Sequence, residues 1–217
     1  LPANGAVIKT IVSTEMITPI CEAYGVEKMD VLTGFKFIGE KIKGFEETGS
    51  HEYLYGFEES YGYLAGPYVR DKDAVNASML CCEMTAWYRA QGMTLAQAID
   101  ALYEEYGYYR NDLASFTYEG ADGMAKMQAI MEDLRKNPPR ELDGEEVTSI
   151  VDYKFDETGL PKSNVLQYQS ASSKILVRPS GTEPKVKLYL SARAGSMEAA
   201  AKKNAAIQAA ITARYLG

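Results

Sequence analysis

The 217-residue chain carries 23 basic and 30 acidic side chains, a net charge of −7, with 46% hydrophobic and 24% charged residues. This is the balance of a water-soluble globular protein with room for one large domain or two of roughly 100 residues. The acidic excess excludes a general nucleic-acid or anionic-membrane surface, so any anion site must be a local basic pocket.

No apolar run is long enough to span a bilayer, and the N-terminus lacks the basic-then-apolar order of a signal peptide. Three cysteines, two of them adjacent at Cys81 and Cys82, fit a reducing cytoplasm better than a disulfide framework, and all three are expected to be buried.

The first half alternates strand and helix patterns, as α/β domains do. Val7 to Val12 is a β-rich run, and Ile17, Ile20, Cys21 and Tyr24 follow at helical spacing up to Gly25. Val31-Leu32-Thr33 reads as a second strand, leading through Gly34 into a helix with Phe35, Ile38, Ile42 and Phe45 on one face. A third strand, Tyr53-Leu54-Tyr55, is expected to end at Gly56. Ligands of open α/β sheets sit at the carboxyl ends of strands, so Ser13-Thr14, Thr33-Gly34 and Gly56 to Tyr63 are the candidate binding loops.

The third of these, Gly56-Phe57-Glu58-Glu59-Ser60-Tyr61-Gly62-Tyr63, is the most informative. A carboxylate accepts hydrogen bonds from two neighbouring hydroxyls and a serine two residues along adds a donor, so Glu58 and Ser60 could grip a vicinal diol. Paired carboxylates also suit a metal or general acid-base chemistry, and a solvated acidic turn is the plain alternative. His51, the one histidine, lies in a polar turn and points to a surface role, which leaves histidine triads poorly supported.

Asp73 is the expected N-cap of a long helix with Val75, Met79, Cys82 and Trp87 among its apolar positions, stopped by Gly92. Thr94 to Gln97 forms a capping box for the next helix, whose expected buried stripe is Leu95, Ile99, Leu102 and Tyr106. A domain boundary is placed at 107/108, giving domains 1–107 and 108–217.

In the second half a strand at Leu113 to Tyr118 precedes a helix bearing Met124, Met127, Met131 and Leu134, a stripe that reads as core. Strands follow near Val147 to Phe155, Val165 to Tyr168, Ser173 to Val177 and Val186 to Ala192, and Ser196 caps a last helix through Ile207, Ile211 and Tyr215. The fold class expected is therefore an α/β domain, a mixed sheet with flanking helices, followed by an α+β domain with helices on one face of a mostly antiparallel sheet.

Between the last two strands lies Arg178-Pro179-Ser180-Gly181-Thr182-Glu183-Pro184-Lys185, with Lys187 two residues on and pointing the same way as Lys185. Arg178 offers a planar fork to two phosphate oxygens, Ser180 and Thr182 offer hydroxyls, and Gly181 lets backbone N–H groups close round an anion as a nest. An ordinary solvated hairpin is the alternative. No Gly-x-x-x-x-Gly-Lys-Ser/Thr pattern occurs, which disfavours a nucleotide triphosphatase.

The string Arg178 to Lys185 resembles the phosphate-binding loop of the α-D-phosphohexomutases, with Gly after Ser as in their phosphoglucomutase-type branch, and Gly56 to Gly62 resembles their sugar-binding loop. The resemblance covers the chain in order and matches the third and fourth domains of that family, the fourth being a TBP-like fold. It implies that the first domain binds sugar through Glu58 and Ser60, with weaker transfers to Thr33 and Gly34, and that the second binds phosphate through Arg178, Ser180, Gly181, Thr182 and Lys187. Val69-Arg70-Asp71-Lys72-Asp73, read alone a charged cap, is similar to a family segment whose lysine faces the active site, which gives Lys72 a role in polarising the substrate or in proton transfer.

The same resemblance implies a cytoplasmic isomerase of carbohydrate metabolism interconverting glucose 1-phosphate and glucose 6-phosphate through a phosphoserine, with magnesium and glucose 1,6-bisphosphate. The family's phosphoserine and metal loops are missing from these residues, so no metal ligand is expected here and the chain, which begins at Leu1-Pro2-Ala3, is expected to be the C-terminal half of a longer enzyme, inactive alone. Its expected partners are a hexose phosphate and the N-terminal half of that enzyme, not a nucleic acid or a membrane. A stand-alone sugar-phosphate-binding module, or a parent acting on mannose or pentose phosphates, remains the alternative reading.

Overall fold

In the computed structural model, which describes residues 1–120 and 122–217, the chain divides into two compact units, Leu1–Gly107 and Tyr108–Gly217. No described helix is long and apolar enough to cross a membrane.

The first unit runs β1 (Gly5–Thr10), α1 (Ile17–Tyr24), β2 (Glu27–Val31), α2 (Phe35–Thr48), β3 (Glu52–Glu58), β4 (Gly62–Ala65), α3 (Ala74–Ala90) and α4 (Leu95–Tyr106). Its sheet has the order β2-β1-β3-β4, with β1 parallel to both neighbours and β4 returning antiparallel to β3. Strand β1 is buried along its whole length, as a central parallel strand covered on both faces must be. Phe35, Ile38, Ile42 and Phe45 of α2 pack with Ala6, Ile8, Tyr53 and Leu64 in one core.

Three strands of this unit differ from the sequence reading and a fourth is additional to it. The first lies at Gly5–Thr10 rather than Val7 to Val12, and β4 begins inside the expected Gly56-to-Tyr63 loop. The second lies at Glu27–Val31 rather than Val31-Leu32-Thr33, because an edge strand with charged side chains and one buried residue, Val31, lacks the β-rich signature. The third does not stop at Gly56 but runs on to Glu58. Glycine is needed inside it because a Cβ there would collide with the Tyr53 hydroxyl and come within 2.8 Å of Ile38.

Asp73 caps α3 by accepting from the amides of Val75 and Asn76, and the Thr94–Gln97 capping box forms as expected. The burial expected of α3 is not found. Val75 is 81% and Trp87 61% exposed, and Met79, Cys81 and Cys82 are also exposed, leaving Cys21 as the one buried cysteine. The physical reason is the pattern of the helix, which has one apolar line through Val75, Met79 and Cys82 and another through Leu80, Met84 and Trp87 on nearly the opposite side, so no single stripe can be sunk. In α4, Ala98 is buried, Leu95, Leu102 and Tyr106 are half-buried, and Ile99 faces out.

The second unit comprises β5 (Tyr108–Thr117), α5 (Gly123–Lys136), β6 (Glu141–Leu142), β7 (Glu145–Glu146), β8 (Ser149–Asp152), β9 (Leu166–Gln169), β10 (Ser173–Pro179), β11 (Lys185–Ala194) and α6 (Met197–Ile211), continued by a π-helical turn, Thr212–Leu216. Five strands form an antiparallel sheet of order β5-β11-β10-β9-β8. Alternate residues Ile175, Val177, Val186, Leu188 and Leu190 face α5 and α6, giving the expected α+β layer. Met127, Met131 and Leu134 lie in that core with Ile130, while Met124, expected in the same stripe, is 40% exposed in the first turn of α5. Buried tyrosines fasten the layer, the Tyr168 hydroxyl donating to Leu134 O and that of Tyr118 to Leu216 O, both at 3.0 Å.

Candidate functional site

Because β1, β2 and β3 are parallel, Thr10, Val31 and Glu58 end on one edge of the first sheet, and the segments after them lie along that edge. Gly34 stands between β2 and α2 with φ 119°, a value suited to glycine, and caps α2 without any side-chain hydrogen bond; Thr33 precedes it, half-buried.

Glu58 closes the β3–β4 hairpin opposite Gly62. A Cβ on Gly62 would come within 2.6 Å of Glu58 Cγ and 2.8 Å of Lys72 Cδ, so the bare glycine is the floor on which both side chains lie. That packing brings together two residues 14 positions apart in sequence. Burial raises the Glu58 carboxyl above its ordinary range, as do the Glu59 and Asp71 carboxylates, while the Lys72 ammonium opposes them. Lys72 Nζ donates to Asp71 Oδ1 at 2.9 Å and lies 5.7 Å from the centroid of the Phe35 ring. The bond to Asp71 raises its pKa, so Lys72 is a cation at neutral pH and suits polarising an oxygen more than abstracting a proton.

Ser60 is exposed at the hairpin tip and donates weakly, at 3.4 Å, to Glu59 Oε1. The other Glu59 oxygen accepts from Thr10 Oγ1 at 3.0 Å, and Thr10 Oγ1 lies 2.8 Å from Ser13 Oγ.

Beneath this edge lies a charge cluster. Lys9 is fully buried, with Nζ 3.0 Å from Glu15 Oε1 and 2.8 Å from Asp30 Oδ1, and it also donates to Thr10 O at 3.3 Å. Lys28 reaches Asp30 Oδ2 at 2.9 Å and Glu15 Oε2 at 3.6 Å. Burial pushes the Asp30 carboxyl up, but the two ammonium groups outweigh it and hold the group below the usual range. Sequence reasoning missed Lys9, Glu15, Lys28 and Asp30, and met Glu59 only as one of the paired carboxylates of the candidate loop. The one available signal was Lys9 itself, a lysine inside a β-rich run, which cannot be buried without partners.

In the second unit the Arg178-to-Lys187 segment is the hairpin joining β10 and β11. Arg178 pairs directly with Lys187, and Lys187 in turn with Ser115 on β5, so these three occupy one row across three strands on the face away from the helices. Lys185 pairs with Thr117, and its Nζ is held by Glu183 Oε2 at 3.1 Å. Ser115 and Thr117 could not be found from sequence, because the pairing of β5 with β11 spans some 70 residues.

The nest expected at Gly181 is not formed. Its backbone is not left-handed, nothing lies within 4 Å of where its Cβ would be, and the amides of Thr182 and Glu183 donate to Ser180 Oγ at 3.4 and 3.2 Å. Ser180 keeps its O–H for donation, and Thr182 is exposed. Serine is a good local acceptor two and three residues before free amides, and here it meets them before any outside anion does.

Among the described residues no three His, Cys, Asp or Glu side chains are arranged to hold a metal ion.

Family models describe the two units: that for phosphoglucomutase/phosphomannomutase alpha/beta/alpha domain III matches residues 1–106, and that for the phosphoglucomutase/phosphomannomutase C-terminal domain matches residues 118–210. A phosphoglucomutase of Staphylococcus aureus (strain bovine RF122 / ET3-1) is 38% identical over 207 residues, which are 90% of this chain and 37% of that protein. The chain thus spans little more than a third of the curated relatives it matches. Among solved structures, a protein assigned as a phosphomannomutase from Thermus thermophilus superposes with a TM-score of 0.63 at 18% identity, covering 96% of this chain and 37% of that one. A phosphoglucomutase/phosphomannomutase family protein from Burkholderia thailandensis gives 0.56 at 17%, with the same coverage. At these identities the structural likeness speaks for the fold.

Proposed function

Since the chain belongs to the phosphoglucomutase/phosphomannomutase family, carrying its domain III and C-terminal domain, we propose that it is the substrate-gripping half of a phosphoglucomutase that interconverts glucose 1-phosphate and glucose 6-phosphate. The first unit is the sugar-binding domain and the second the phosphate-binding domain. Glu58 accepts from neighbouring hexose hydroxyls, Ser60 adds a further contact, and Thr33 with Gly34 lines the same edge. Lys72, held protonated by Asp71, polarises an oxygen of the substrate. In the second unit Arg178, Lys187, Ser180 and Thr182 take the phosphate that is not being transferred, with Gly181 leaving the approach open. Gripping the remote phosphate supplies binding energy that positions the reacting oxygen.

The observation that carries this reading is the Arg178–Lys187 row, two cations side by side on a sheet face with no acidic side chain paired to either among the described residues. Such a pair repels itself until an anion arrives. Magnesium, a phosphoserine and a bisphosphorylated hexose belong to the reaction proposed for the longer enzyme. The described residues do not fit a magnesium ion, and their work is to bind and orient.

Titration calorimetry of the chain with inorganic phosphate and with glucose 6-phosphate tests the proposal. Both should bind, glucose 6-phosphate more tightly, and with glucose 1,6-bisphosphate and magnesium present the chain alone should show no turnover approaching about 1 per second, an ordinary enzymatic rate. Failure of Arg178→Ala to weaken phosphate binding would remove the hairpin from the site, and turnover by the chain alone would refute its role as a binding half.

A further inference from the structure

We infer that Glu59 is a positioning residue of the hexose-binding edge, tying the end of β1 to the β3–β4 loop and orienting Ser60, an inference that rests on the hexose-phosphate reading of that edge. Its two carboxylate oxygens are divided between two hydroxyls: Oε2 accepts from Thr10 Oγ1 at 3.0 Å and Oε1 from Ser60 Oγ at 3.4 Å. Thr10 is fully buried at the last position of the central strand, so its hydroxyl is a fixed anchor.

The proton count sets the direction of the chain of bonds. A threonine hydroxyl has one proton. That proton goes to Glu59 Oε2, so of the Thr10–Ser13 pair, 2.8 Å apart, it is Ser13 Oγ that donates to Thr10. The tie therefore runs Ser13 to Thr10 to Glu59, with Ser60 donating from the other side. With its proton turned toward Glu59, Ser60 presents lone pairs outward and accepts from a hexose hydroxyl instead of donating to it. Glu58 and Ser60 are then both acceptors, which matches a ligand offering adjacent hydroxyl donors.

The hairpin needs such a tie. Tyr61 at its tip has φ 58° and is 89% exposed, a left-handed conformation that side-chain-bearing residues rarely adopt and that its own contacts do not hold. Glu59 lies two residues before it and is the side chain that fastens this loop to a neighbouring strand.

The test is made in the longer enzyme with Thr10→Val, Thr10→Ser, Glu59→Leu and the double variant Thr10→Val/Glu59→Leu, with Glu58→Ala as the control; leucine is used because glutamine would keep an oxygen able to accept from Thr10. Because the tie holds hydroxyl contacts made in ground state and transition state alike, Thr10→Val and Glu59→Leu should each raise KM for glucose 1-phosphate about tenfold while changing kcat less than about threefold. Thr10→Ser, which keeps the hydroxyl, should restore KM, and the double variant should be no worse than Glu59→Leu alone, since both cut the Thr10–Glu59 bond. The inference is overturned if Thr10→Val and Glu59→Leu leave KM unchanged while Glu58→Ala raises it, or if the double variant multiplies the two losses. If Glu58→Ala is also silent, the hexose reading of the edge falls with it. Should Thr10→Val not fold, Glu59→Leu at its half-buried position decides alone.

Discussion

Arg178 and Lys187 stand directly opposite each other on adjacent antiparallel strands, in register with Ser115 on the next strand. Directly opposed like charges destabilise a sheet by about 0.2 to 1 kcal/mol. The arrangement is therefore a small standing cost to the fold, one that a bound dianion, as proposed for this hairpin, would reverse.

Opposite signs in the absence and presence of phosphate follow for Lys187→Met. Without ligand the variant should be more stable by up to about 1 kcal/mol, since the repulsion is gone. In saturating phosphate it should be the less stable protein, because it loses a charge-assisted contact typically contributing about 1.5 to 3 kcal/mol. Thermal unfolding with and without phosphate measures both, and a variant that loses stability in both conditions would mean Lys187 is structural. Arg178→Lys keeps the charge but loses the fork, so it should bind phosphate between wild type and Arg178→Ala.

What the sequence disclosed here was chemistry carried by contiguous residues. The Arg178-to-Lys185 string and the Glu58–Ser60 pair are each local, and their hydroxyls, carboxylates and cations are legible without knowing the fold. The helices α2, α5 and α6 were legible for the same reason, since one stripe such as Phe35, Ile38, Ile42 and Phe45 states both the helix and its buried face. What was not legible was long-range. Ser115 joins Lys187 only through strand pairing, Glu58 meets Lys72 only across the bare face of Gly62, and the Lys9 cluster draws on β1, β2 and the loop between β1 and α1. The α3 misreading has another cause: apolar residues on two sides of a helix predict burial twice, and local pattern cannot say whether either side has a partner.

Glu58 gives a pH prediction. Its carboxyl is raised, chiefly by burial, so the folded protein favours the protonated form relative to the unfolded chain. The associated stability is complete below the unfolded value, about 4.5, and is lost as pH rises through the higher folded value. Glu58→Gln should accordingly raise the thermal midpoint at about pH 7 and do little at about pH 4. Hexose-phosphate binding, which needs the ionised acceptor, should weaken in the wild type as pH falls and should begin to do so above the ordinary glutamate range. A Glu58→Gln protein destabilised at neutral pH would contradict the burial cost.

Lys9 is buried against two carboxylates, and removing one partner of such a group leaves charge without compensation. Lys9→Met should destabilise the first unit by about 3 kcal/mol, near the lower end for buried pairs because Lys28 still reaches both Glu15 and Asp30. Denaturant unfolding checks the magnitude. Lys28→Met, whose side chain is 22% exposed, should cost less, and equal losses for the two would mean that burial does not set the cost.

The second unit should fail in acid at a definite place. Glu145 on β7 accepts from Ser170 Oγ at 2.8 Å, from the amide of Ser172 at 3.0 Å and from Lys203 Nζ at 2.5 Å, so one carboxylate joins the β6–β7 hairpin, the β9–β10 turn and α6. Burial alone would raise its pKa, but these donors overcome it and lower the group to about 2. A depressed acid contributes stability that is present above its unfolded value, about 4.5, and is lost as pH falls toward about 2. The Glu145 side chain is 31% exposed, so solvent screens part of the effect, and Glu145→Gln should cost about 1 to 2 kcal/mol at neutral pH. The gap between wild type and variant should then close between about pH 4.5 and about pH 2, as the wild type takes up the proton the variant never needed. Denaturant unfolding of the chain at steps across that window, followed by a probe in the second unit, reads the gap directly, and a difference that stayed constant to the bottom of the window would show that the Glu145 cluster does not depend on its charge.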